Sequence, residues 1–362
     1  MKIVIFAGGS GRRLWPISRT ASPKQFEPII GPRSTVQLAV ERVAGAYGLE
    51  NVYVSTNQRY LPIIRRQLPN LPAANLIGEP ARRDLAAAVG LSIAYLRQTA
   101  GPDERVAILW GDNTMSQVEV FLRILATAEQ LIERDQAKIA FVGETPRFAN
   151  NNLGWIGLAE QLGENQGLPY FGFRSWIYRP PLDRCQQMFD EGGYVWNTGY
   201  CVTTVGFACQ MYERHQPLMW AGLTEIAGQL GRPAYQETLN RIYPTLPSQH
   251  FDDAISKHVT PAEAIVLHGE MGWSDPGTLY ALKETLNPDK QANVSRGLVR
   301  SLQSEDCLLY NYEEKKLLAA VGLTGLIVVN TEDAILVVHK DHIPLVKELV
   351  DGLVGTELES YS

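Results

Sequence analysis

An apolar run, Lys2 to Ala7, ends abruptly in a glycine cluster and then in a series of cations, and any fold of this chain must find a use for that junction. Ile3, Val4, Ile5 and Phe6 in unbroken succession suit a strand buried on both faces, and such strands belong to parallel sheets covered by helices. Gly8, Gly9 and Gly11 follow at once. Glycines this dense let the backbone take positive φ and approach a ligand closely, so that successive N–H groups can converge on an anion. Arg12, Arg13, Arg19 and Lys24 come next, with no Asp or Glu before Glu27. In a chain of formal net charge -6 this local positive excess calls for an anionic partner, and a polyphosphate is the simplest.

Two common glycine-loop patterns fail on inspection. A P-loop needs Lys followed by Ser or Thr after its last glycine, whereas Gly11 is followed by Arg12 and Arg13. A dinucleotide fingerprint starting at Gly9 would place its third glycine at Leu14, and no helix begins cleanly across Trp15-Pro16. The run GGSGRRLWPISRTASPKQF instead resembles the G-G-x-G-x-R-L-x-P…P-K motif of the sugar-1-phosphate nucleotidyltransferases, and LWPISR…SPKQF is most similar to the mannose-1-phosphate guanylyltransferase branch.

Later stretches carry the same resemblance. GEPARRD matches a Glu-Pro…Arg-Asn-Thr motif at Glu79, Pro80 and Arg83, with Asp84 and Leu85 in place of Asn and Thr. VAILWGDN is an apolar strand ending in Asp112, and GWSDPGT resembles G-W-x-D-x-G, whose acid is Asp275 here. NNNLGWIGL places Gly154 in a G-Y-I segment, VWNTGY places Asn197 and Thr198 in a W-N-S-G segment, and HFDDA places Asp252 in an I-D-Y-A segment from which His250 and Asp253 depart. Tyr178-Arg179-Pro180 stands where the family has Glu-Lys-Pro.

The resemblance implies an α/β, Rossmann-like nucleotidyltransferase domain with a mostly parallel sheet, followed by a small C-terminal domain resembling a left-handed β-helix. The composition shift at NPDKQAN puts the expected boundary between 1–288 and 289–362, after which CLLYNY, KLLAAVGL, GLIVVN and AILVVH read as short strands at roughly ten-residue spacing. Such strands must pack as a roll, against the first domain, or against a second subunit as a homodimer. Earlier in the chain, Thr35 to Val43, Gln58 to Leu68, the stretch from Arg82 or Arg83 onward, and Leu182 to Glu191 read as helices, NVYVST and KIAFVG as strands, and Pro344 to Leu353 as amphipathic.

Composition narrows the function classes. Hydrophobic residues at 45% and charged residues at 20% describe an ordinary globular chain, and the acidic balance argues against general nucleic-acid binding. Cys185, Cys201, Cys209 and Cys307 show neither zinc nor disulfide spacing, and no run reaches the ~20 apolar residues of a membrane span. With no signal-peptide pattern at the start, a cytoplasmic protein without membrane contact is expected. A length of 362 leaves no room for the isomerase domain of the family's longer bifunctional members, so the shorter form is expected.

The implied reaction joins a nucleoside triphosphate, GTP in this branch, to a sugar-1-phosphate, here mannose-1-phosphate, giving GDP-mannose and pyrophosphate. By the same resemblance, Arg13, Lys24 and Asp112 would be catalytic. The nucleotide would lie against Ala7, Gly8, Gly9, Gly11, Arg12, Arg13, Lys24, Glu79, Pro80, Arg83, Gly111 and Asp112. The sugar phosphate would lie against Gly154, Arg179, Asn197, Thr198 and Asp252, and Mg2+ on Asp112 and Asp275. Two alternatives stay open: another nucleotide and sugar pair, or a regulatory protein that binds a nucleotide-sugar with little turnover.

Overall fold

The structure, a computed structural model, describes residues 1–9 and 12–362. It divides into two compact units, one of Met1–Ala7, Val40–Gly111 and Met115–Trp273, the other of Gly8–Ala39, Asp112–Thr114 and Ser274–Ser362.

The first unit is built on a nine-stranded sheet: β1 (Lys2–Phe6), β2 (Val52–Asn57), β3 (Leu76–Glu79), β4 (Arg105–Trp110), β5 (Ile139–Glu144), β6 (Trp155–Asn165), β7 (Leu168–Ile177), β8 (Tyr194–Thr204) and β9 (Ala264–Gly269), in the order β3-β2-β1-β4-β8-β5-β9-β7-β6. β1 pairs in parallel with β2 and β4, and Ile3, Val4 and Ile5 are wholly buried, as their unbroken apolar run requires. β5 and β9 are also parallel. β8 enters antiparallel between β4 and β5 and also pairs with the first residues of β6, while β6 and β7 form an antiparallel hairpin. Sequence patterning marks none of β3, β6, β8 and β9 as strands, and within β6 and β8 only the motif segments WIGL and VWNTGY stand out.

Helices supply the apolar cover. In Val118–Glu133, Phe121, Ile124, Leu125, Ala128 and Ile132 recur at helical spacing and are buried. Deleting a ring such as Phe121 costs about 3–5 kcal/mol in a packed core. Helix Asp84–Thr99 is buried on nearly every side, which its alanines permit, and a Cβ at Gly90 would strike Leu223 Cδ1 at 2.5 Å and Tyr212 Cε1 at 2.9 Å.

The second unit holds helix Leu279–Leu286, six short strands and helix Pro344–Asp351. The strands are β10 (Val294–Arg296), β11 (Val299–Leu302), β12 (Leu308–Asn311), β13 (Leu318–Val321), β14 (Leu326–Asn330) and β15 (Ile335–His339). β10, β12 and β14 stack in parallel, β15 closes that sheet antiparallel, and β11 pairs in parallel with β13, so the strands from β10 to β14 alternate between two sheets as in a β-helix. Alternation through Cys307 and into β12 sends Cys307 and Leu309 to one apolar cluster and Leu308 and Tyr310 to another. The second cluster also takes Leu14, Trp15 and Ile17 and the buried face of Pro344–Asp351. Lys283, fully buried, is neutralised by Asp306 at 2.7 Å, which also accepts from Lys340 at 2.6 Å.

Candidate active site

In the second unit, one cation and two carboxylates that are far apart in sequence converge. Lys24 Nζ lies 2.8 Å from Asp112 Oδ2 and 3.4 Å from Asp275 Oδ1. Burial acts to lower the ammonium pKa, but the two carboxylates outweigh it and hold Lys24 above its ordinary value. The lysine is fixed by the short helical turn Lys24–Phe26, whose three residues are all buried. Asp112 stands two residues beyond β4 in the chain, and an antiparallel bridge brings Asp275 to it: Thr114 N donates to Ser274 O at 2.9 Å, and Ser274 N to Thr114 O at 3.1 Å.

The segment after Asp275 is equally determined. Gly277 N donates to Asp275 O at 2.7 Å, and Thr278 caps helix Leu279–Leu286 by accepting from Ala281 N at 3.1 Å. A Cβ at Gly277 would lie 3.6 Å from Arg13 Nη2, so the exposed Arg13 guanidinium reaches the same neighbourhood. A Cβ at Gly9 would meet Gln25 Nε2 at 2.8 Å, and the buried Gln25 Oε1 has no hydrogen-bond partner among the described residues. Gln25 is a candidate that the sequence reading passed over although it lies within the PKQF run. Gly11 and the Arg12 side chain lie outside the described residues. Arg19 faces elsewhere: its guanidinium pairs with Asp333 at 2.6 Å and donates to the Tyr361 carbonyl.

The first unit holds the remaining candidates. Ala7 is buried, donates to Ser55 O at 2.8 Å and accepts from Thr56 Oγ1 at 2.6 Å. Gly111 N donates to Phe6 O at 2.9 Å, where a Cβ would crowd Ile5 and Phe6 at 3.1 Å. Pro80 follows β3, which ends in Glu79. Glu79 accepts from Tyr243 OH at 2.5 Å, and burial, opposed by that hydrogen bond, pushes its carboxyl up to about 7. Arg83 donates to the Pro244 carbonyl, and its Nε has no partner among the described residues. Asp84 and His250, which both depart from the family motifs, lie side by side, with Asp84 Oδ2 3.4 Å from His250 Nδ1.

The adjoining ends of β6, β7 and β8 gather Gly154 and Asn197, with Asn197 N donating to Gly154 O at 2.8 Å. The Asn197 Oδ1 accepts from Gly199 N at 2.8 Å, and the buried Thr198 hydroxyl donates to Val142 O at 2.7 Å. Arg179 lies two residues beyond β7, exposed, at φ 43, with its guanidinium 5.4 Å from the Tyr178 ring. Asp252 is exposed in the short helix Phe251–Ala254. Glu144 and Arg147, neither of them at a specified position of a motif, form an ion pair at 3.0 Å, and Arg147 also donates to Trp273 O at 3.1 Å. Burial pushes the Glu144 carboxyl up to about 7 against the opposing effects of Met271 N–H and Arg147.

The family model described as nucleotidyl transferase matches residues 2–292. The chain belongs to the nucleotidyl transferase family. Its activity class is therefore nucleotidyl transfer, and the family resemblance of the glycine loop is borne out. A second model, described as a MannoseP isomerase/GMP-like beta-helix domain, matches residues 298–353, where the structure has β11 to β15.

Among relatives of this nucleotidyl transferase is the mannose-1-phosphate guanylyltransferase RfbM of Salmonella typhimurium, 28% identical, with the match covering 99% of this chain and 73% of that protein. The alginate biosynthesis protein AlgA of Pseudomonas fluorescens is 28% identical over 97% of this chain and 71% of its own length. A crystal structure named as a mannose-1-phosphate geranyltransferase from Thermus thermophilus superposes with a TM-score of 0.84 at 25% identity, covering 97% of this chain and 98% of that one. No helix among the described residues is long and apolar enough to cross a membrane.

Proposed function

We propose that this nucleotidyl transferase takes GTP and mannose-1-phosphate and forms GDP-mannose and pyrophosphate. The observation that carries the reading is the convergence of Lys24, Asp112 and Asp275, taken with relatives named for this reaction. Two carboxylates on one cation make a hard-oxygen donor set of the kind Mg2+ accepts, and no cluster of three or more His, Cys, Asp or Glu among the described residues offers a rival metal site. Asp112 and Asp275 would hold Mg2+, whose chemistry when bound is to neutralise charge on phosphate oxygens.

The chain's own residues do the positioning. The sugar phosphate is already an anionic nucleophile, so the protein must bring it in line with the α-phosphate and neutralise the charge that builds up there. Backbone amides at Gly8, Gly9 and Gly11, with Arg12, Arg13 and Lys24, would hold the triphosphate, and Lys24 is kept protonated for that role by its two acids. Ala7 and Gly111 would line the nucleotide by their backbones, with Glu79, Pro80 and Arg83 contributing to the base side. Gly154, Asn197, Thr198, Asp252 and Arg179 are assigned to the sugar phosphate, Thr198 through its main chain because its hydroxyl is committed to Val142. Residues 1–288 would form the catalytic domain and 289–362 a β domain through which two subunits associate. Four free, buried cysteines suit a cytoplasmic setting.

One departure favours a second reading. Tyr178 replaces a carboxylate that would accept from sugar hydroxyls, and a lost charge-assisted hydrogen bond of about 1.5–3 kcal/mol is enough to change the preferred sugar. Assaying GTP, UTP, dTTP, ATP and CTP against several sugar-1-phosphates, with and without Mg2+, by pyrophosphate release tests both readings. The GTP and mannose-1-phosphate pair should turn over fastest and need the metal. A different fastest pair would replace the substrate assignment, and no turnover in any combination would favour a nucleotide-sugar-binding regulator.

A further inference from the structure

The loop that carries Arg13 and Lys24 is held at its back by the last residues of the chain. Trp15 Nε1 donates to Tyr361 O at 2.7 Å, and the Arg19 guanidinium donates to the same carbonyl. Thr20 N donates to Ser362 O at 3.2 Å. Arg19 is gripped from three further directions: Nη2 on Asp333 at 2.6 Å, Nε on Pro16 O at 3.0 Å, and the guanidinium 5.2 Å from the Trp15 ring. Residues 356–362 are themselves a turn of defined shape, with Glu359 N on Thr356 O, Tyr361 N on Leu358 O and Ser362 N on Glu359 O. All these groups lie within the second unit.

Such contacts do more than fill space. Trp15 is only 7% exposed, so without the Tyr361 carbonyl its indole N–H would be left nearly dry and unpaired. A cation from the same cluster as Arg13 and Lys24 is used up in holding the loop. That use accounts for an arginine at this position without any contact to phosphate.

We propose that residues 356–362 act as a strap that fixes the phosphate-binding loop, with Trp15 and Arg19 as the positioning residues through which it acts. The inference rests on the functional reading above, since what the strap secures is the geometry of Arg13, Lys24 and the loop amides toward a triphosphate. Preorganised cations and amides lose effect when their support loosens, even where every one of them is retained.

The test compares the full chain with a chain ending at Gly355 and with full-length Trp15→Phe and Arg19→Lys. Hydrogen exchange of amides 8–24 is measured without ligand, and kcat and KM are measured for GTP and for mannose-1-phosphate. Losing one or two such hydrogen bonds should speed exchange in 8–24 and raise the KM for the triphosphate about 5- to 10-fold in the shortened chain and in Trp15→Phe. The KM for the sugar phosphate should stay within about twofold, since the residues assigned to it, Gly154, Asn197 and Arg179, are not among those named above as held by the strap. Arg19→Lys should retain most of the wild-type behaviour by keeping the charge at Asp333. Unchanged exchange and kinetics in both the shortened chain and Trp15→Phe would overturn the proposal, as would faster exchange spread evenly over 289–362. If the full chain turns over no substrate pair, the functional reading fails while the exchange data still decide whether the strap exists.

Discussion

Lys24 Nζ and Asp112 Oδ2 lie 2.8 Å apart, with the lysine side chain 11% exposed and the aspartate 23%. An ion pair this protected is costly to break from one side, because the remaining charge is left with little water to solvate it. The pair also ties the loop after β1 to the segment after β4. That dependence makes the two residues a sensitive place to test the site.

Asp112→Asn and Asp275→Asn should each lower kcat by at least about 10²-fold, the usual loss when a main electrostatic stabiliser is removed. Nucleotide affinity should suffer less. Titrating Mg2+ against each variant checks the assignment, and near-normal turnover at saturating metal would remove that aspartate from the proposed metal site.

Arg13→Ala and Lys24→Ala should weaken catalysis far more than Arg19→Ala. Arg13 is exposed beside Gly277 and Lys24 bridges two acids, whereas Arg19 is committed to Asp333 and Tyr361. Steady-state kinetics on the three variants decide it. Equal losses would mean that the loop acts through bulk charge alone.

The Glu79 carboxyl is raised from its ordinary 4.5 to about 7 by burial, so the folded protein binds a proton there that the unfolded chain has released. Its contribution to stability is therefore fully present below about pH 4.5 and is lost as pH rises toward 7. Glu79→Gln, which keeps the shape without the charge, should raise the melting temperature relative to wild type at pH 8 and make little difference at pH 4.5. The expected gain is of the order of 3 kcal/mol at the higher pH. A difference in melting temperature that does not vary with pH would show that Glu79 is not the titrating group.

Arg179→Ala should raise the KM for the sugar-1-phosphate much more than that for the triphosphate, and Tyr178→Glu should shift sugar preference toward mannose if the native preference lies elsewhere. Arg179 stands exposed two residues beyond β7, whose last residue pairs with Trp155 next to Gly154. Unchanged sugar-phosphate kinetics in Arg179→Ala would exclude this turn from the sugar site.

The junction from Lys2 to Lys24 was readable from sequence because what it needs is local: an unbroken apolar strand, glycines, then cations. Period and composition likewise revealed helix Leu182–Glu191, and the shift after Asn287 revealed the β-rich end with β12 to β15. Tertiary structure alone decided which distant groups meet. Asp275 reaches Lys24 because Thr114 and Ser274 form a bridge, and Asp84 meets His250 because the chain returns there after many intervening elements. Arg19, one cation among four by sequence, was assigned to the C-terminal turn by the packing of Trp15. A local pattern fixes which backbone a segment can adopt, whereas the partner of a charged side chain depends on register and packing between segments that no local pattern encodes.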